Sequence, residues 1–268
     1  MTISNLPLYV ETFADATGVG KSLSAWRIRH FLDEAGVPNI MVRIETRGVE
    51  AKLREGDIAI AVEDFAQAAD RPGGIAGVLQ PLSATILAAA KTRHVVIADW
   101  AGGTARHHLE YVAKTRLDEV LQSIGMTGFS IAVTTNRTEQ MRQAADNLNS
   151  LEKAAPGLRR GLLLNKRFGD FNFLAGSKQE EEYRGLMRAA RTATVIEFPA
   201  VVGNSWKTAE DARLSMPDVI KATPAFFAER TGLDAITAMA CITEIAVFYE
   251  LTKKALVRVL RFPKVAKA

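Results

Sequence analysis

Phe13-Ala-Asp-Ala-Thr-Gly-Val-Gly-Lys-Ser22 is the stretch that decides the fold. An apolar, strand-like run, Leu8–Phe13, precedes it, and a segment with helical spacing, Lys21–Ala35, follows. Strand, glycine-rich turn and helix together form the context in which Gly-Lys-Ser acts as a phosphate loop. Glycine allows the backbone to turn its N–H groups inward, and the helix N-terminus adds a positive dipole. In this reading Gly18, Val19, Gly20, Lys21, Ser22 and Leu23 surround the phosphates of a nucleotide. Lys21 meets the terminal phosphates, and the Ser22 hydroxyl is a ligand of Mg²⁺. Asp15 stands where the standard pattern opens with glycine. The plain alternative is a glycine-rich turn that holds no ligand.

Outward from this loop the chain alternates. Short runs rich in β-branched residues recur at Ile40–Ile44, Asp57–Val62, His94–Asp99, Phe129–Thr134, Gly161–Asn165 and Thr194–Phe198. Helical segments are expected at Ile75–Ala90, Ala105–Ser123, Thr138–Ala154 and Lys178–Ala190. Such alternation predicts βαβ units, hence an α/β fold with a mostly parallel central sheet and helices on both faces. Runs such as His94-Val-Val-Ile-Ala-Asp99 lack polar alternation, as expected of strands covered on both sides. After Pro199 the pattern turns helical, and the last long helix is expected from about 234 to Phe262, where Pro263 ends it. The expectation is one domain over 1–268, closed by a helical segment from about 205.

Two further anchors fit the loop. His94-Val-Val-Ile-Ala-Asp-Trp-Ala-Gly-Gly103 is an apolar strand ending in an acid. A carboxylate there faces the nucleotide and holds Mg²⁺, so Asp99 joins Ser22 as a candidate metal ligand. Gly161-Leu-Leu-Leu-Asn-Lys166 is a buried-type strand ending in Asn165 and Lys166. The Asn165 amide both donates and accepts, which suits a purine edge. Phe168 stands where the Asn-Lys-x-Asp spacing of guanine recognition would place an acid, so the reading favours ATP with Mg²⁺.

The composition agrees with a globular chain. Of 268 residues, 48% are hydrophobic and 24% charged, which excludes disorder. The one cysteine, Cys241, cannot form an intrachain disulfide. The start of the chain lacks the basic and apolar regions of a signal peptide, and a cytoplasmic location is expected. The apolar stretch Ala235–Leu251 is interrupted by Glu244 and Glu250 and reads as a buried helix. Four histidines show no metal-ligand spacing. Trp26, Trp100 and Trp206 read as core or interface anchors, with Trp100 placed to respond to the bound nucleotide. Phe168, Phe171 and Phe173 either pack on the domain or offer a loop to an adaptor.

The three anchors, in this order, resemble the ParA/MinD family of deviant Walker A ATPases, including its plasmid-stability and conjugation-linked members. The resemblance runs over roughly residues 6 to 230. Ala16-Thr17-Gly18-Val19-Gly20-Lys21-Ser22 matches the family's loop, and Asp99-Trp-Ala-Gly-Gly103 its second switch. Phe198-Pro199-Ala200-Val201 is similar to its second purine-contacting loop, which adds Pro199 to the nucleotide-binding set. The resemblance implies slow, partner-stimulated ATP hydrolysis, a homodimer formed face to face on ATP binding, and an adaptor or DNA-binding partner protein. It also implies positioning of a cargo, a plasmid or protein complex, on DNA or membrane. Two positions depart from it. The family's signature lysine falls on Ala16, and the first acid of its first switch falls on Arg43 within Arg43-Ile-Glu45-Thr-Arg47. Glu45 keeps the second acid, which supports water activation in the family, so Lys21, Glu45 and Asp99 form the candidate catalytic set. Arg43 and Arg47 are candidates for the missing positive charge.

Other readings stay open. One is a nucleotide-dependent binding module with little or no hydrolysis, a second a metabolic P-loop transferase, and a third a structural pseudo-ATPase. The net charge of +4 and pI near 9.2 permit contact with nucleic acid or anionic lipid without requiring either. Near the end, Leu251, Ala255, Leu256, Val259 and Leu260 share one helical face, and Lys253, Lys254, Arg258 and Arg261 lie largely off it. That face either packs on the domain, leaves the bases to bind DNA without sequence preference, or docks on membrane.

Overall fold

The computed structural model describes residues 9–46, 53–201 and 203–260. Leu8, Arg47 and the stretch from Arg261 through Pro263 to the end lie outside them. In chain order the elements begin with β1 (Tyr9–Phe13), α1 (Lys21–Glu34), β2 (Asn39–Glu45), β3 (Ile58–Ala61), α2 (Ile75–Val78) and α3 (Gln80–Thr92). Next come β4 (Val95–Trp100), α4 (Ala105–Thr115), α5 (Leu117–Ser123), β5 (Gly128–Thr134), α6 (Thr138–Ala154), β6 (Arg159–Asn165), α7 (Lys178–Ala189) and β7 (Thr194–Phe198). The helical end is α8 (Ser205–Asp211), α9 (Met216–Lys221), α10 (Pro224–Thr231) and α11 (Ala235–Leu260).

Among the described residues seven strands form one sheet in the order β3-β2-β4-β1-β5-β6-β7, and every pairing is parallel. The expected α/β architecture is therefore the observed one. Period-two alternation sends successive side chains to opposite faces, both of them apolar. Tyr9 and Phe13 of β1 enter the core shared with α4 and α6, while Val10 enters the core shared with α1 and α11. The same split separates Val96, Ala98 and Trp100 of β4 from Val95 and Ile97. With β1 at the centre, the loop that follows it opens at the carboxyl edge of the sheet, where ligands of such sheets bind.

Three expected elements differ. Ile75–Ala90 is two helices, because Pro81 in the first turn of α3 has no N–H to donate back to the preceding turn. Ala105–Ser123 is broken at Arg116, whose φ of 48° is left-handed. The strand expected from Asp57 starts at Ile58 instead. The Asp57 carboxylate is taken by the guanidinium of Arg29, at 2.6 and 3.0 Å, and by the N–H groups of Met41 and Arg54.

The long C-terminal helix is locked to α1. Arg27 is fully buried; its Nε donates to Thr252 Oγ1 (2.8 Å) and its Nη2 to the Tyr249 carbonyl (2.9 Å). Its guanidinium lies 3.6 Å from the centre of the Tyr249 ring. Leu256, Val259 and Leu260 are buried in the core, so the apolar face read near the chain end is mostly a packing face; Leu251 is exposed. The stretch Ala235–Leu251, read as a buried helix, is buried on one side only, since Ile236 is 85% and Met239 52% exposed.

Candidate functional site

The loop of residues 14–20 carries β1 into α1. Gly18 and Gly20 have φ of 70° and 98°, which side chains rarely adopt. At Gly20 a Cβ would also collide with Asn165 Nδ2, so glycine is required there twice over. Among the described residues no side chain caps α1, and its first turn holds no acid. Its N-terminus therefore keeps its orphan donors and the dipole's positive end for something outside the chain.

Lys21 is 6% exposed and donates to the Ala16 carbonyl at 2.6 Å, folding its ammonium back over the loop. Burial lowers its pKa to about 8, against the opposing pull of Asp99 and Asp15. Asp99, next to last in β4, lies in register with Arg43 of β2. Its Oδ2 lies 3.7 Å from Arg43 Nε, and Arg43 Nη2 lies 2.8 Å from Glu45 Oε2. Burial raises the Asp99 pKa to about 6, although hydrogen bonding with Ser22 and the charges of Arg43 and Lys21 pull it down. Burial also raises the Glu45 pKa, with Arg43 opposing. Asp99 Oδ1 is buried and, among the described residues, has no hydrogen-bond partner. An orphaned carboxylate oxygen beside an exposed serine hydroxyl is a donor set suited to a hard divalent cation. Ser22 and Asp99 fit Mg²⁺ on that ground.

The glycines after Asp99 meet the phosphate loop directly. Gly103 N–H donates to the Asp15 carbonyl at 2.7 Å, and a Cβ on Gly102 would collide with Thr17. Ala101 N–H holds the Ile44 carbonyl at 2.8 Å, which joins the same turn to β2. Movement of this turn thus needs contacts with both neighbours to break.

A cavity of about 530 Å³ opens above these groups. Gly18, Gly20, Lys21, Ser22 and Leu23 line it on one side, and Asn165 and Pro199 on another. Val19 does not: its side chain is buried in the core and only its backbone belongs to the loop. Lys166 does not line it either, because its ammonium pairs with Glu197 (2.8 Å) and Asp170 (3.1 Å). Asp99 and Glu45 are not among the residues that line it. Asn165 is 3% exposed and already holds two internal partners: Nδ2 donates to the Val19 carbonyl (2.8 Å) and Oδ1 accepts from Arg167 N–H (3.2 Å). Its amide ties β6 to the phosphate loop, a role that the strand-end position alone does not reveal.

Several lining residues escaped the sequence reading. Trp206 is a cavity wall, flanked by Lys207 and Glu210 of the same helix. Phe168 lines the cavity too, with the Arg137 guanidinium 4.1 Å from its ring centre, whereas Phe171 packs on Phe173 and Tyr183. Trp100 is fully buried and reaches no ligand space. Its Nε1 donates to Glu11 Oε2 at 3.1 Å. Glu11, buried in β1, also accepts from Tyr9 (2.5 Å) and Ser130, and its Oε1 lies 2.8 Å from His108 Nε2. Burial pushes the Glu11 pKa up, but His108 and these donors outweigh it and hold it below the usual carboxylate range. The signal for this network was one acid inside the apolar run Tyr9-Val-Glu-Thr-Phe13.

No family model matches the chain, and no curated protein matches it. Among solved structures, it is similar to a variant of Cyanothece McdA in complex with ATP, with a TM-score of 0.44 and 10% identity over 97% of this chain and 98% of that one. At that score the likeness carries nothing about the site.

Proposed function

We propose that the chain binds ATP with Mg²⁺ at this cleft and acts in the cytoplasm as a nucleotide-operated switch of the ParA/MinD type. The observation that carries the reading is the meeting of an uncapped helix N-terminus, the Lys21 ammonium and the orphaned Asp99 Oδ1 around one loop. Lys21 leaves the Ala16 carbonyl to neutralise phosphate oxygens, while Ser22 and Asp99 hold the metal, which supplies charge neutralisation at the phosphates. Glu45 orients water. The Asp15–Gly103 bond gives the turn after β4 a direct line to the occupancy of the loop. Ordering of that turn favours a face-to-face homodimer. The dimer engages DNA or membrane with an adaptor and positions a cargo. The test is equilibrium titration of a labelled ATP analogue with and without Mg²⁺. Lys21→Ala is expected to abolish binding; equal affinity in the two proteins rejects the reading.

A second reading, binding with little hydrolysis, has its own support. Ala16 supplies no lysine, and Arg43 engages both Asp99 and Glu45, the acids that hydrolysis needs free. Turnover measured beside binding separates the two: a wild type that binds tightly without phosphate release, with release appearing only in Arg43→Ala, selects the second.

A further inference from the structure

Asn165 and Lys166 stand where the sequence expects a base to be read, and both are committed elsewhere. Asn165 Nδ2 donates to the Val19 carbonyl, Oδ1 accepts from Arg167 N–H, and only 3% of the residue is exposed. The Lys166 ammonium is taken by Glu197 and Asp170. What the cavity offers instead is rings. Phe168 lines it with 43% of its surface exposed. Asn136 Nδ2 donates to the carbonyls of Phe168 (3.1 Å) and Asp170 (3.2 Å), which pins the backbone of this loop. The Arg137 guanidinium, 4.1 Å from the ring centre, holds the ring itself. Trp206 lines the same cavity from α8, and that helix is tied down where Ser205 Oγ donates to Glu244 of α11. Exposed rings fixed in this way are prepared for a flat partner.

We propose that Phe168 and Trp206 hold the nucleobase by stacking, and that the site accepts purine nucleoside triphosphates with little preference between adenine and guanine. The assignment rests on nucleotide binding at this cleft and adds which nucleotides enter. Stacking is tolerant, because every base has a π-face. Adenine and guanine differ at their edges, and telling them apart takes polar groups shielded from water. Among the described residues the wall supplies none. Its one carboxylate, Glu210, is exposed, as are Arg167 and Lys207, so water competes for every hydrogen bond they make. Pro199 has no N–H to give. The phosphates, common to both nucleotides, meet the same Lys21 and the same helix N-terminus. Selection in this cleft therefore falls on the phosphate chain and on the flatness of the base.

The test is calorimetric titration of the full chain with ATP, GTP and tripolyphosphate, each with Mg²⁺. The dissociation constants of ATP and GTP are expected to lie within ~10-fold of each other. Phe168→Leu and Trp206→Leu are each expected to weaken both nucleotides by ~10-fold or more. Tripolyphosphate, which has no base, should bind both variants as it binds the wild type, and Phe168→Tyr should keep wild-type affinity for the nucleotides. A preference above ~10-fold for either purine, in a chain whose binding needs Lys21, overturns this proposal alone. So do leucine variants that weaken tripolyphosphate as much as ATP, since the rings would then act through the phosphate loop, and variants that weaken neither. A chain that binds neither nucleotide nor tripolyphosphate overturns the proposal together with the nucleotide site on which it rests.

Discussion

Asn165 donates its amide to the carbonyl of Val19 across 2.8 Å, so the end of β6 holds the phosphate loop from behind. Both groups are buried. Asn165→Ala leaves the Val19 carbonyl without its partner, a loss of about 1–3 kcal/mol. Hydrogen exchange in the loop should quicken and thermal stability fall. Gly20→Ala should destabilise as well, through both its positive φ and the collision with Asn165. In the double variant the collision is relieved but the strain of φ, about 1–2 kcal/mol, stays. Additive losses in the double-mutant cycle would mean that the two residues do not press on each other.

Lys21 makes ligand binding depend on pH. Its free ammonium titrates at about 8, not 10.5, because it is buried. Phosphate oxygens favour the charged form, so affinity should be steady below pH 8 and fall above it, by up to ~10-fold per pH unit. The ligand-free protein should behave in the opposite sense. Between 8 and 10.5 the unfolded chain keeps a proton that the folded one has lost, and stability rises with pH. Calorimetry across this range, with Lys21→Met as the flat reference, checks both slopes.

Asp99 sets function against stability. Its pKa of about 6 exceeds its ordinary value, so folding binds a proton between roughly 4 and 6. The protonated form is the more easily buried one, and stability declines as pH rises through that window. Asp99→Asn should therefore stabilise the ligand-free protein at pH 7.5, by on the order of 2 kcal/mol. The same change should remove the Mg²⁺ dependence of nucleotide binding. Unchanged Mg²⁺ dependence in the variant would take Asp99 out of the metal site.

Glu11 should matter most to stability. Glu11→Ala strands Tyr9, Trp100, His108 and Ser130 in a closed core, and each buried polar group left without its partner costs about 1–3 kcal/mol. Because the Glu11 pKa is depressed, its contribution is full above the ordinary carboxylate range and fades as pH falls through its own lowered value. Urea denaturation at pH 7 and pH 3 should show the wild type losing its advantage over the variant in acid.

The phosphate loop, the Asp99 strand end and the βα alternation were legible because each rests on neighbours in sequence. The Arg43–Asp99 approach was not, since it exists only once β2 lies beside β4. The same holds for Glu11, whose partners His108 and Ser130 stand 97 and 119 residues away. Trp206 could be read as an anchor, but only the packing of α8 over the carboxyl edge turns it toward the cavity. Helix breaks at Pro81 and Arg116 were hidden for a different reason: apolar periodicity continues through both.

The lock between Arg27 and Thr252 spans 225 residues of chain. Translation at about 5–20 residues per second means that roughly 10–45 s pass between the emergence of the first partner and that of the second. During that interval a guanidinium built for a closed interior faces water or chaperone, on the helix that begins at the phosphate loop. A growing chain can thus assemble its sheet on the ribosome, but that helix acquires its permanent neighbour only when the last helix arrives.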